Sequence, residues 1–409
     1  GSQRTILFLI ADTGAGHRSA ANALRNAITI LAEEAQQQWL ADQQAGAVGV
    51  PEPPVYRMEI VDVFEEYSRF PLREAVKLYG PAIRYNPSLY GRVFHQTNQV
   101  RSVKAVKAVA GPLVRKGLLR LITNVQPDVI VSIHTMLNHL TVEAIKTLGL
   151  NIPFLTVVTD LVSVHSSWYA PGVDACIVPT EQARQLYLKH GLDAARVHVL
   201  GMPIDPKFTQ PMPGKAELQQ RFELDPKLTT VLLVGGGDGA GGLREAVNAI
   251  SQARLPVQVM VIAGRNKRLF VQLQHLRASL QVPLKVFGFV YTMPEMMHAA
   301  DVLVTKAGPG TICEALACDL PLILSSFVPG QEEGNVTFVT ENGVGAMAPD
   351  PASMVGVLRQ LIAPGSDMLS KQLANAQRIS RPRASFDIVK YILSYMPVVG
   401  EPGIWQGVS

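Results

Sequence analysis

The sequence predicts an α/β protein made of two doubly wound halves, each with a parallel β-sheet covered by helices on both faces. Three observations support this fold class. Short apolar runs alternate with helical patterns along most of the 409 residues. Glycine-rich segments directly follow several of the apolar runs. The order of strand, glycine segment and helix begins again after residue 205, so the chain consists of two similar halves.

The first half opens with an apolar run at residues 5–10, the segment DTGAGHRS at 12–19 and a helical repeat of apolar residues at 19–31. This order is the start of a Rossmann-like unit. Residues 36–54 are rich in Gln, Ala, Gly and Pro, which predicts a surface loop. Further strands are predicted at 55–63, 128–132, 153–160, 175–179 and 197–200, and mostly helical structure at 64–122.

The segment GMPIDP, residues 201–206, predicts a hinge between the two halves. We expect a first domain at 3–204, a second domain at 205–380 and a tail at 381–409. In doubly wound sheets a ligand binds at the carboxyl ends of the strands, so the expected site is a cleft formed by the two halves. Strands of the second half are predicted at 230–234, 257–263, 284–287, 301–305 and 320–324.

Composition excludes several classes of protein. Hydrophobic residues make up 47% of the sequence and charged residues 17%, which is typical of globular domains with large cores rather than of disordered chains. Cys176, Cys313 and Cys318 fit neither a disulfide framework nor the spacing of metal ligands, so we expect buried thiols in a reducing compartment. The longest apolar runs are far shorter than the roughly 20 residues that span a bilayer, and no membrane-spanning segment is expected.

Residues 69–120 form a strongly basic segment. Eleven lysines and arginines stand against one glutamate, Glu74, which gives the segment a charge of +10. Tyrosines and phenylalanines lie among these cations, a combination typical of a surface that docks on an anionic membrane. A solvated helical face or a nucleic-acid patch would also be compatible with the segment. The candidate membrane-contacting residues are Arg101, Lys104 and Lys107.

Three glycine-rich segments, at 14–16, 235–242 and 308–310, follow apolar strands. Glycine allows backbone N–H groups to approach a phosphate, and the N-terminus of the following helix adds a favourable dipole. None of the segments ends in the Gly-Lys-Ser/Thr of a P-loop, and none has the spacing of a dinucleotide fingerprint. A glycine turn between strand and helix is also common without a ligand, but two such segments in the second half favour phosphate binding there.

Residues 305–345 contain the most informative side chains. Glu314 follows Gly310 by four residues, where a carboxylate can accept hydrogen bonds from a ribose diol. Gln331, Glu332 and Asn335 form a polar cluster after a predicted strand and suit the hydroxyls of a hexose. The alternative is a carboxylate favoured by the helix dipole, followed by an ordinary polar loop.

Several of these motifs together resemble the monogalactosyldiacylglycerol synthases, a family of UDP-galactose:diacylglycerol galactosyltransferases. TKAGPGTICE at 305–314 with GQEEGN at 330–335 looks like the donor motif of that family. DTGAGHRS is similar to its N-terminal loop, although Ala15 stands where a third glycine is more usual. TVVTDL at 156–161, HSSW at 165–168 and GRNK at 264–267 also match, so the resemblance extends from residue 5 to about residue 345.

The resemblance implies a GT-B fold, in which two Rossmann-like domains face a central cleft and the tail packs back on the first domain. The first domain would bind the acceptor and dock on the membrane, and the second would bind the UDP-sugar. No cofactor and no bound metal are expected, because helix dipoles and side chains neutralise the leaving diphosphate. The implied donor-binding residues are Gly16, Gly236, Gly237, Gly308, Pro309, Gly310 and Thr311 near the diphosphate, Arg265 near the donor, Phe289 and Val290 at the uracil, Glu314 at the ribose, and Gln331, Glu332 and Asn335 at the sugar.

His17 and Asp160 are the candidate catalytic residues. His17 is at the tip of the first glycine loop, and a histidine can take the proton of an attacking hydroxyl near neutral pH. Alternatively, His17 orients the loop or binds the diphosphate. Asp160 ends a predicted strand at the same face, and it is a rival base or a partner for His17. The candidate acceptor-shaping residues are His134, His165 and Trp168.

The expected reaction is the transfer of galactose from UDP-galactose to the 3-hydroxyl of 1,2-diacylglycerol, by in-line attack that inverts the linkage to β. A UDP-glucose-dependent diacylglycerol glucosyltransferase is the alternative within the class, although the AGPG form of the donor loop favours galactose. A non-catalytic protein that binds nucleotide-sugars or lipids is the alternative from another class. We expect a UDP-sugar, diacylglycerol and an anionic membrane surface as partners, but no nucleic acid. The expected location is the cytoplasm, with peripheral attachment to the cytoplasmic face of the membrane.

Overall fold

The structure, a computed structural model, describes residues 1–11, 15–66, 114–134, 137–162, 170–235, 242–326, 329 and 332–408. The contacts of the chain divide it into two compact units. The main passage between the units lies close to the hinge that GMPIDP predicts. Unit 1 consists of Gly1–Pro206, Pro329–Gln331 and Arg383–Ser409, and unit 2 consists of Lys207–Val328 and Glu332–Pro382.

Unit 1 contains a six-stranded parallel sheet with the order β2-β1-β3-β4-β5-β6. The chain adds β2 on one side of β1 and then returns to place β3 on the other side. Loops at the carboxyl ends of β1 and β3 therefore diverge, and such a switch point is where doubly wound sheets bind ligands. The strands are β1 (Gln3–Ile10), β2 (Val55–Asp62), β3 (Val129–Ser132), β4 (Phe154–Val157), β5 (Ala175–Val178) and β6 (Val197–Val199).

Helices cover both faces of this sheet. Successive residues of a strand point to opposite faces, so Phe8 packs with Leu24 in one core cluster, while Leu9 packs with Leu118 and Leu140 in another. Strands that are buried on both faces read as continuous apolar runs, and this is why the sequence pattern predicts them. The first described helices are α1 (Ala15–Gln44), α2 (Val63–Glu66), α3 (114–125), α4 (Asn138–Leu148) and α5 (Glu181–Lys189).

Helix α1 is longer than predicted, because it begins at Ala15 and continues to Gln44. The predicted surface loop at 36–54 is therefore wrong for residues 36–44. Gln, Ala and Leu dominate this stretch and have high helix propensity, so the helix continues although many of its later residues are exposed. The Nε1 of Trp39 donates a hydrogen bond to the carbonyl oxygen of Val50 at 3.1 Å, which ties the end of the helix to the loop that follows.

Unit 2 contains a second six-stranded parallel sheet, with the order β12-β11-β10-β7-β8-β9. The chain runs outward from β7 through β8 to β9 and then returns to place β10 on the other side of β7. The switch point of unit 2 is therefore between β7 and β10. The strands are β7 (Thr229–Val234), β8 (Val257–Ile262), β9 (Leu284–Phe287), β10 (Val302–Lys306), β11 (Leu322–Ser326) and β12 (Gly345–Met347).

Apolar helix faces complete the core of unit 2. Val247 and Leu358 come from two helices and pack in one cluster with Val231, Val259 and Val304 of the sheet. The described helices that follow are α6 (Lys215–Arg221), α7 (Leu243–Gln252), α8 (Lys267–Leu276), α9 (Met293–Ala299), α10 (Pro309–Ala317), α11 (Glu333–Glu341), α12 (Pro351–Ile362) and α13 (Met368–Ile379).

The last helix, α14 (Ala384–Leu393), belongs to unit 1. Its Ile388 and Ile392 are buried in the same core cluster as Leu24 of α1. The hydroxyl of Ser385 donates to the carbonyl oxygen of Ile204 at 2.6 Å and accepts from the N–H of Ile204 at 3.0 Å. Beyond the helix, the Nε1 of Trp405 donates to the carbonyl oxygen of Pro127 at 2.8 Å. The described C-terminal segment thus packs on unit 1.

Two parallel sheets, each with its own switch point and helical cover, confirm the predicted fold class of two doubly wound α/β halves. Within the described ranges, no helix has both the length and the apolar character needed to cross a bilayer.

Candidate functional site

The glycine segment after β10 lies at the switch point of unit 2 and begins helix α10. Gly308 is the N-cap residue, with φ −69° and ψ 132°, and Pro309 occupies the first turn. Proline fits there because the first N–H groups of a helix have no partner within the helix. The N–H groups of Gly310 and Thr311 belong to this turn. Together with the helix dipole, they form a site that favours an anion.

Two of these glycines have room for a Cβ atom. Apart from its chain neighbours and the backbone of its own helix, no heavy atom lies within 4 Å of the position that a Cβ on Gly310 would take. At Gly308, the same position would have Cε of Lys306 at 3.7 Å and Oε2 of Glu332 at 3.9 Å, which are ordinary van der Waals contacts. Packing within the protein therefore does not require glycine at either position, whereas close approach of a ligand to the backbone would.

Glu332 and Asn335 lie beside this glycine segment. Asn335 is in the first turn of α11 and is only 1% exposed. Its Nδ2 donates to the carbonyl oxygen of Ala307 at 2.9 Å, and its Oδ1 has no hydrogen-bond donor among the described residues. Glu332 is 5% exposed, and its carboxylate is next to the Gly308 position. Two residues predicted for the sugar are therefore close to the segment predicted for the diphosphate.

The predicted polar cluster does not lie wholly in a loop, because helix α11 already begins at Glu333 and includes Asn335. The sequence pattern did not show this helix start, since Glu333 and Gly334 interrupt the apolar repeat. Starting the helix here places Asn335 in a first turn, and this position lets its side chain reach back to Ala307, 28 residues away in the chain.

Arg265 and Phe289 meet at the carboxyl ends of β8 and β9. The guanidinium of Arg265 lies 4.6 Å from the centroid of the Phe289 ring, a distance at which a cation is attracted to an aromatic face. Gly264, with φ +60°, makes the turn that precedes Arg265. Phe289 is 51% exposed and contacts the more exposed ring of Tyr291 edge to face at 5.1 Å. Val290 follows Phe289 and is half-buried.

Glu314 lies in α10 between the half-buried Cys313 and Ala315, and it is itself half-buried. Burial raises the pKa of the Cys313 and Cys318 thiols to about 12, and the nearby Glu314 carboxylate contributes to the rise. Burial also raises the pKa of Cys176 to about 12. A hydrogen bond with Tyr187 lowers this pKa, but its effect is smaller than that of burial. These thiols are neutral near pH 7, so none of them is an activated nucleophile.

His17 and His134 meet at the switch point of unit 1. His17 is the third residue of α1, directly after the exposed Gly16, and His134 follows β3. Their ring centroids are 5.0 Å apart, with an interplanar angle of 68°, which is an edge-to-face contact. Asp160 follows the neighbouring strand β4, three residues beyond its end, and is half-buried. The prediction that Asp160 ends a strand is therefore wrong by three residues, although its place at the carboxyl edge is as expected.

Sequence reasoning missed a buried polar chain behind His134. The Nδ2 of Asn138 donates to the Oγ1 of Thr156 at 3.3 Å, and this hydroxyl donates to the carbonyl oxygen of Ser132 at 3.3 Å. The hydroxyl of Ser132 donates to the carbonyl oxygen of His134 at 3.0 Å. A signal was present, since Ser132 and Thr156 are hydroxyl residues within otherwise apolar strands.

Lys306 was also missed as a candidate. It is exposed at the end of β10, and its Cε lies 3.7 Å from the Cβ position of Gly308. A cation at this place complements the anion site at the start of α10. Its position inside the motif TKAGPG could have indicated it.

Several predicted site residues lie outside the described residues, so the structure does not place them. This holds for two glycines of the segment after β7 in unit 2, and for one residue of the sugar cluster, Gln331, which falls within unit 1. In unit 1 it holds for the candidate membrane contacts and for two acceptor-shaping residues. These residues are Gly236, Gly237, Gln331, Arg101, Lys104, Lys107, His165 and Trp168.

Across the part of the chain that the structure describes, no group of three or more His, Cys, Asp or Glu side chains could hold a metal ion. The expectation of catalysis without a bound metal stays a prediction.

Family models match both halves of the chain. Residues 53–204 match the model described as monogalactosyldiacylglycerol (MGDG) synthase. Residues 230–389 match the model of the glycosyltransferase family 28 C-terminal domain. The two matches cover the first-unit strands from β2 onward and nearly the whole of unit 2.

Solved structures of low identity share the fold. MurG of Acinetobacter baumannii is 15% identical with a TM-score of 0.57, and the alignment covers 96% of this chain and 99% of that one. HepE of Anabaena in complex with UDP-glucose is 14% identical with a TM-score of 0.53, covering 96% of this chain and all of that one. Together with the two parallel sheets, this likeness confirms the predicted GT-B class.

Sequence relatives are more informative than these structures. Monogalactosyldiacylglycerol synthase 2, chloroplastic, of Arabidopsis thaliana is 34% identical over 407 residues, which cover 96% of this chain and 81% of the relative. A probable monogalactosyldiacylglycerol synthase of Nicotiana tabacum is 35% identical over 402 residues, covering 94% of this chain and 70% of the relative. Alignments of this coverage include both halves of the chain. The chain therefore belongs to the monogalactosyldiacylglycerol synthase family of glycosyltransferases.

Proposed function

We propose that this enzyme transfers galactose from UDP-galactose to the 3-hydroxyl of 1,2-diacylglycerol and inverts the anomeric carbon to give a β-linkage. One observation supports the donor half of this proposal above all others. The start of α10 has open space at the Cβ position of Gly310, and the buried oxygen acceptors of Glu332 and Asn335 lie directly beside this helix start. The galactolipid product is proposed because the relatives are named monogalactosyldiacylglycerol synthases.

The donor would bind in the following way. Its diphosphate accepts hydrogen bonds from the first turn of α10, and the ammonium of Lys306 adds a positive charge. The sugar hydroxyls donate to the carboxylate of Glu332 and to the Oδ1 of Asn335, which lacks a donor among the described residues. Buried acceptors of this kind reject a molecule that cannot donate to them, because an unpaired buried acceptor is costly.

The remaining donor contacts involve the base and the ribose. The backbone of Phe289 and Val290 would hold the uracil, next to the Arg265 guanidinium that covers the Phe289 ring. Glu314 would accept hydrogen bonds from the ribose hydroxyls. Gln331 and the glycine segment with Gly236 and Gly237 would complete the contacts with the sugar and the diphosphate.

The acceptor hydroxyl needs a base, and we assign this role to His17. The hydroxyl oxygen forms the new bond to the anomeric carbon, the bond from that carbon to the UDP oxygen breaks, and the hydroxyl proton passes to the imidazole. An imidazole suits this step because its unperturbed pKa is about 6.5, close to neutral pH. Asp160, three residues beyond the end of β4, is the alternative base.

Replacement of His17 by Ala separates these assignments. If His17 is the base, kcat falls by about 10²- to 10⁴-fold, and the affinity for UDP, measured by calorimetry, changes little. An unchanged kcat with a raised KM for the donor would instead make His17 a ligand of the diphosphate. Asp160 would then be the leading base, and Asp160→Asn would be the next variant to measure.

We also propose that the basic segment 69–120 docks the enzyme on an anionic membrane, where the diacylglycerol resides. Each cation near such a surface contributes on the order of 1 kcal/mol, and salt screens this attraction with a Debye length of about 8 Å at physiological ionic strength. The protein is expected to sediment with anionic vesicles, but not with neutral ones, and high salt should release it. Equal binding of the parent and of the triple variant Arg101→Glu, Lys104→Glu and Lys107→Glu to anionic vesicles would refute the proposal.

We propose in addition that transfer requires no bound metal, because the helix N-terminus and Lys306 can neutralise the leaving diphosphate. Activity should be unchanged after extensive treatment with EDTA. Loss of activity in EDTA that Mg²⁺ or Mn²⁺ restores would refute this part of the proposal.

The central experiment is a donor screen. The full chain is incubated with vesicles that contain diacylglycerol and with UDP-galactose or UDP-glucose, and the glycolipid is identified by mass and by the anomeric coupling in its NMR spectrum. A β-galactosyl product formed faster than the glucosyl product is the expected result. A faster glucosyl product would favour the glucosyltransferase alternative, and an α-linkage would refute inversion.

A further inference from the structure

A fully buried polar chain supports the turn that presents His134 to His17. Its members are Asn138, Thr156 and Ser132, all of which lie at the carboxyl edge of β3 and β4 or in the first turn of α4. Each link is a hydrogen bond, and the last link ends on the carbonyl oxygen of His134. The chain therefore connects three separate elements to one backbone carbonyl beside the switch point.

The sequence places these polar groups where apolar ones would pack equally well. Ser132 and Thr156 are paired neighbours on adjacent strands, and their faces belong to a core that is otherwise apolar. The three hydrogen bonds run from Asn138 through Thr156 and Ser132 to one backbone carbonyl, so they limit the position of the residue that carries it.

That next residue is His134, which is 5% exposed. Its ring meets the ring of His17 edge to face at 5.0 Å, so a displaced or rotated His134 would leave the His17 imidazole with an additional set of orientations. A general base must keep its nitrogen within hydrogen-bond reach of the hydroxyl, and an error of about 1 Å can cost 10²-fold in rate. Any movement of the turn at His134 would therefore change the orientation of the His17 imidazole.

We infer that His134 is a positioning residue for the His17 imidazole, and that Thr156 and Ser132 hold His134 in place. This inference rests on the proposed role of His17 as the base. Neither His134 nor the chain behind it touches the reacting atoms in this account. They act by limiting the orientations of the imidazole.

The test compares two isosteric changes in fully buried threonines. Thr156→Val removes the hydroxyl in the middle of the chain. Thr141→Val is the matched control, because the Thr141 hydroxyl donates to the carbonyl oxygen of Leu137 at 2.6 Å in α4 and takes no part in the chain. We expect Thr156→Val to lower kcat by roughly 5- to 30-fold, with the KM values for UDP-galactose and diacylglycerol within about 2-fold of the parent. Thr141→Val should keep the parental kcat.

The melting temperature is measured for both variants, so that only folded protein is compared. Equal losses of kcat in the two variants, or a parental kcat in Thr156→Val, would overturn the inference.

A double variant separates this inference from the proposed function. In the His17→Ala background, Thr156→Val should cause no further loss of kcat, because the group that it positions is absent. A further loss of the full size would show that Thr156 acts elsewhere. If His17→Ala alone keeps the parental kcat, the proposed base is wrong. If His17→Ala loses kcat while Thr156→Val does not, only the positioning inference is wrong.

Discussion

Replacement of Gly310 by Ala tests the donor site at its most exposed point. A Cβ at this position would have no neighbour within 4 Å outside its own helix turn, so the fold should accept the alanine. Because Cβ bonds tilt toward the N-terminus of a helix, the new methyl group would enter the space in front of the first turn of α10. That space is where we place the diphosphate, and the donor would have to withdraw from the backbone N–H groups.

The expected loss follows from one hydrogen bond between a backbone N–H and a charged phosphate oxygen. Such a bond contributes about 1.5–3 kcal/mol, which corresponds to a roughly 10- to 150-fold weaker affinity for UDP. The folded protein should not be destabilised, because Ala in a helix is favoured over Gly by about 0.5–1 kcal/mol. In a unit of this size, such a gain raises the melting temperature by about 1–4 °C.

Gly356→Ala is the matched control. Gly356 is in the interior of α12, and a Cβ there would also have no neighbour within 4 Å outside its own helix turn. Both substitutions should raise the melting temperature, but only Gly310→Ala should weaken UDP binding in isothermal titration calorimetry with the full chain. UDP binding by Gly310→Ala within about 2-fold of the parent would refute the placement of the diphosphate at α10.

Three further predictions concern other parts of the two units. Asn335→Ala removes the hydrogen bond to Ala307 and the buried Oδ1. In calorimetry it should lower the affinity for UDP-galactose more than the affinity for UDP. Equal losses would show that Asn335 acts on the nucleotide alone. Trp405→Ala should lower the melting temperature of unit 1. The free energy of unfolding falls by about 1–3 kcal/mol when a half-buried aromatic ring and its hydrogen bond to Pro127 are removed. An unchanged melting temperature would show that the tail adds no stability. The buried thiols of Cys176 and Cys318, with pKa values raised to about 12, should resist iodoacetamide at pH 8 until denaturant is added. Rapid alkylation of these two thiols in the native protein would contradict their burial.

The fold could be predicted because its strands are buried on both faces. Runs such as Ile6 to Ile10 and Val231 to Leu233 are uninterrupted apolar segments, and the glycine segments after them mark the helix starts. Helix α1 was predicted too short, because its second half has little apolar face and depends on the propensity of Gln, Ala and Leu. Periodicity alone does not detect a helix of that kind.

The site could be predicted only in part, for a related reason. Glycine segments and clusters of polar residues are visible as local patterns, so Gly308, Glu332 and Asn335 stand out. The contacts that give them a geometry join residues far apart in the sequence, as Asn335 and Ala307 do. The chain through Asn138 and Thr156 is less visible still, since each member is a single polar residue among apolar neighbours and only the pairing of β3 with β4 brings them together.

The two switch points have the same topological origin, and the first residues of their helices suit the two different roles that we propose for them. Helix α1 begins with Ala-Gly-His, which places an imidazole in its first turn beside His134. Helix α10 begins with Pro-Gly-Thr, and the position of a Cβ on Gly310 is open space in its first turn. A base is needed only while the acceptor proton moves, whereas the diphosphate is bound from the start of the reaction. Variants at the start of α1 should therefore change kcat with little effect on UDP affinity, and variants at the start of α10 should change UDP affinity first.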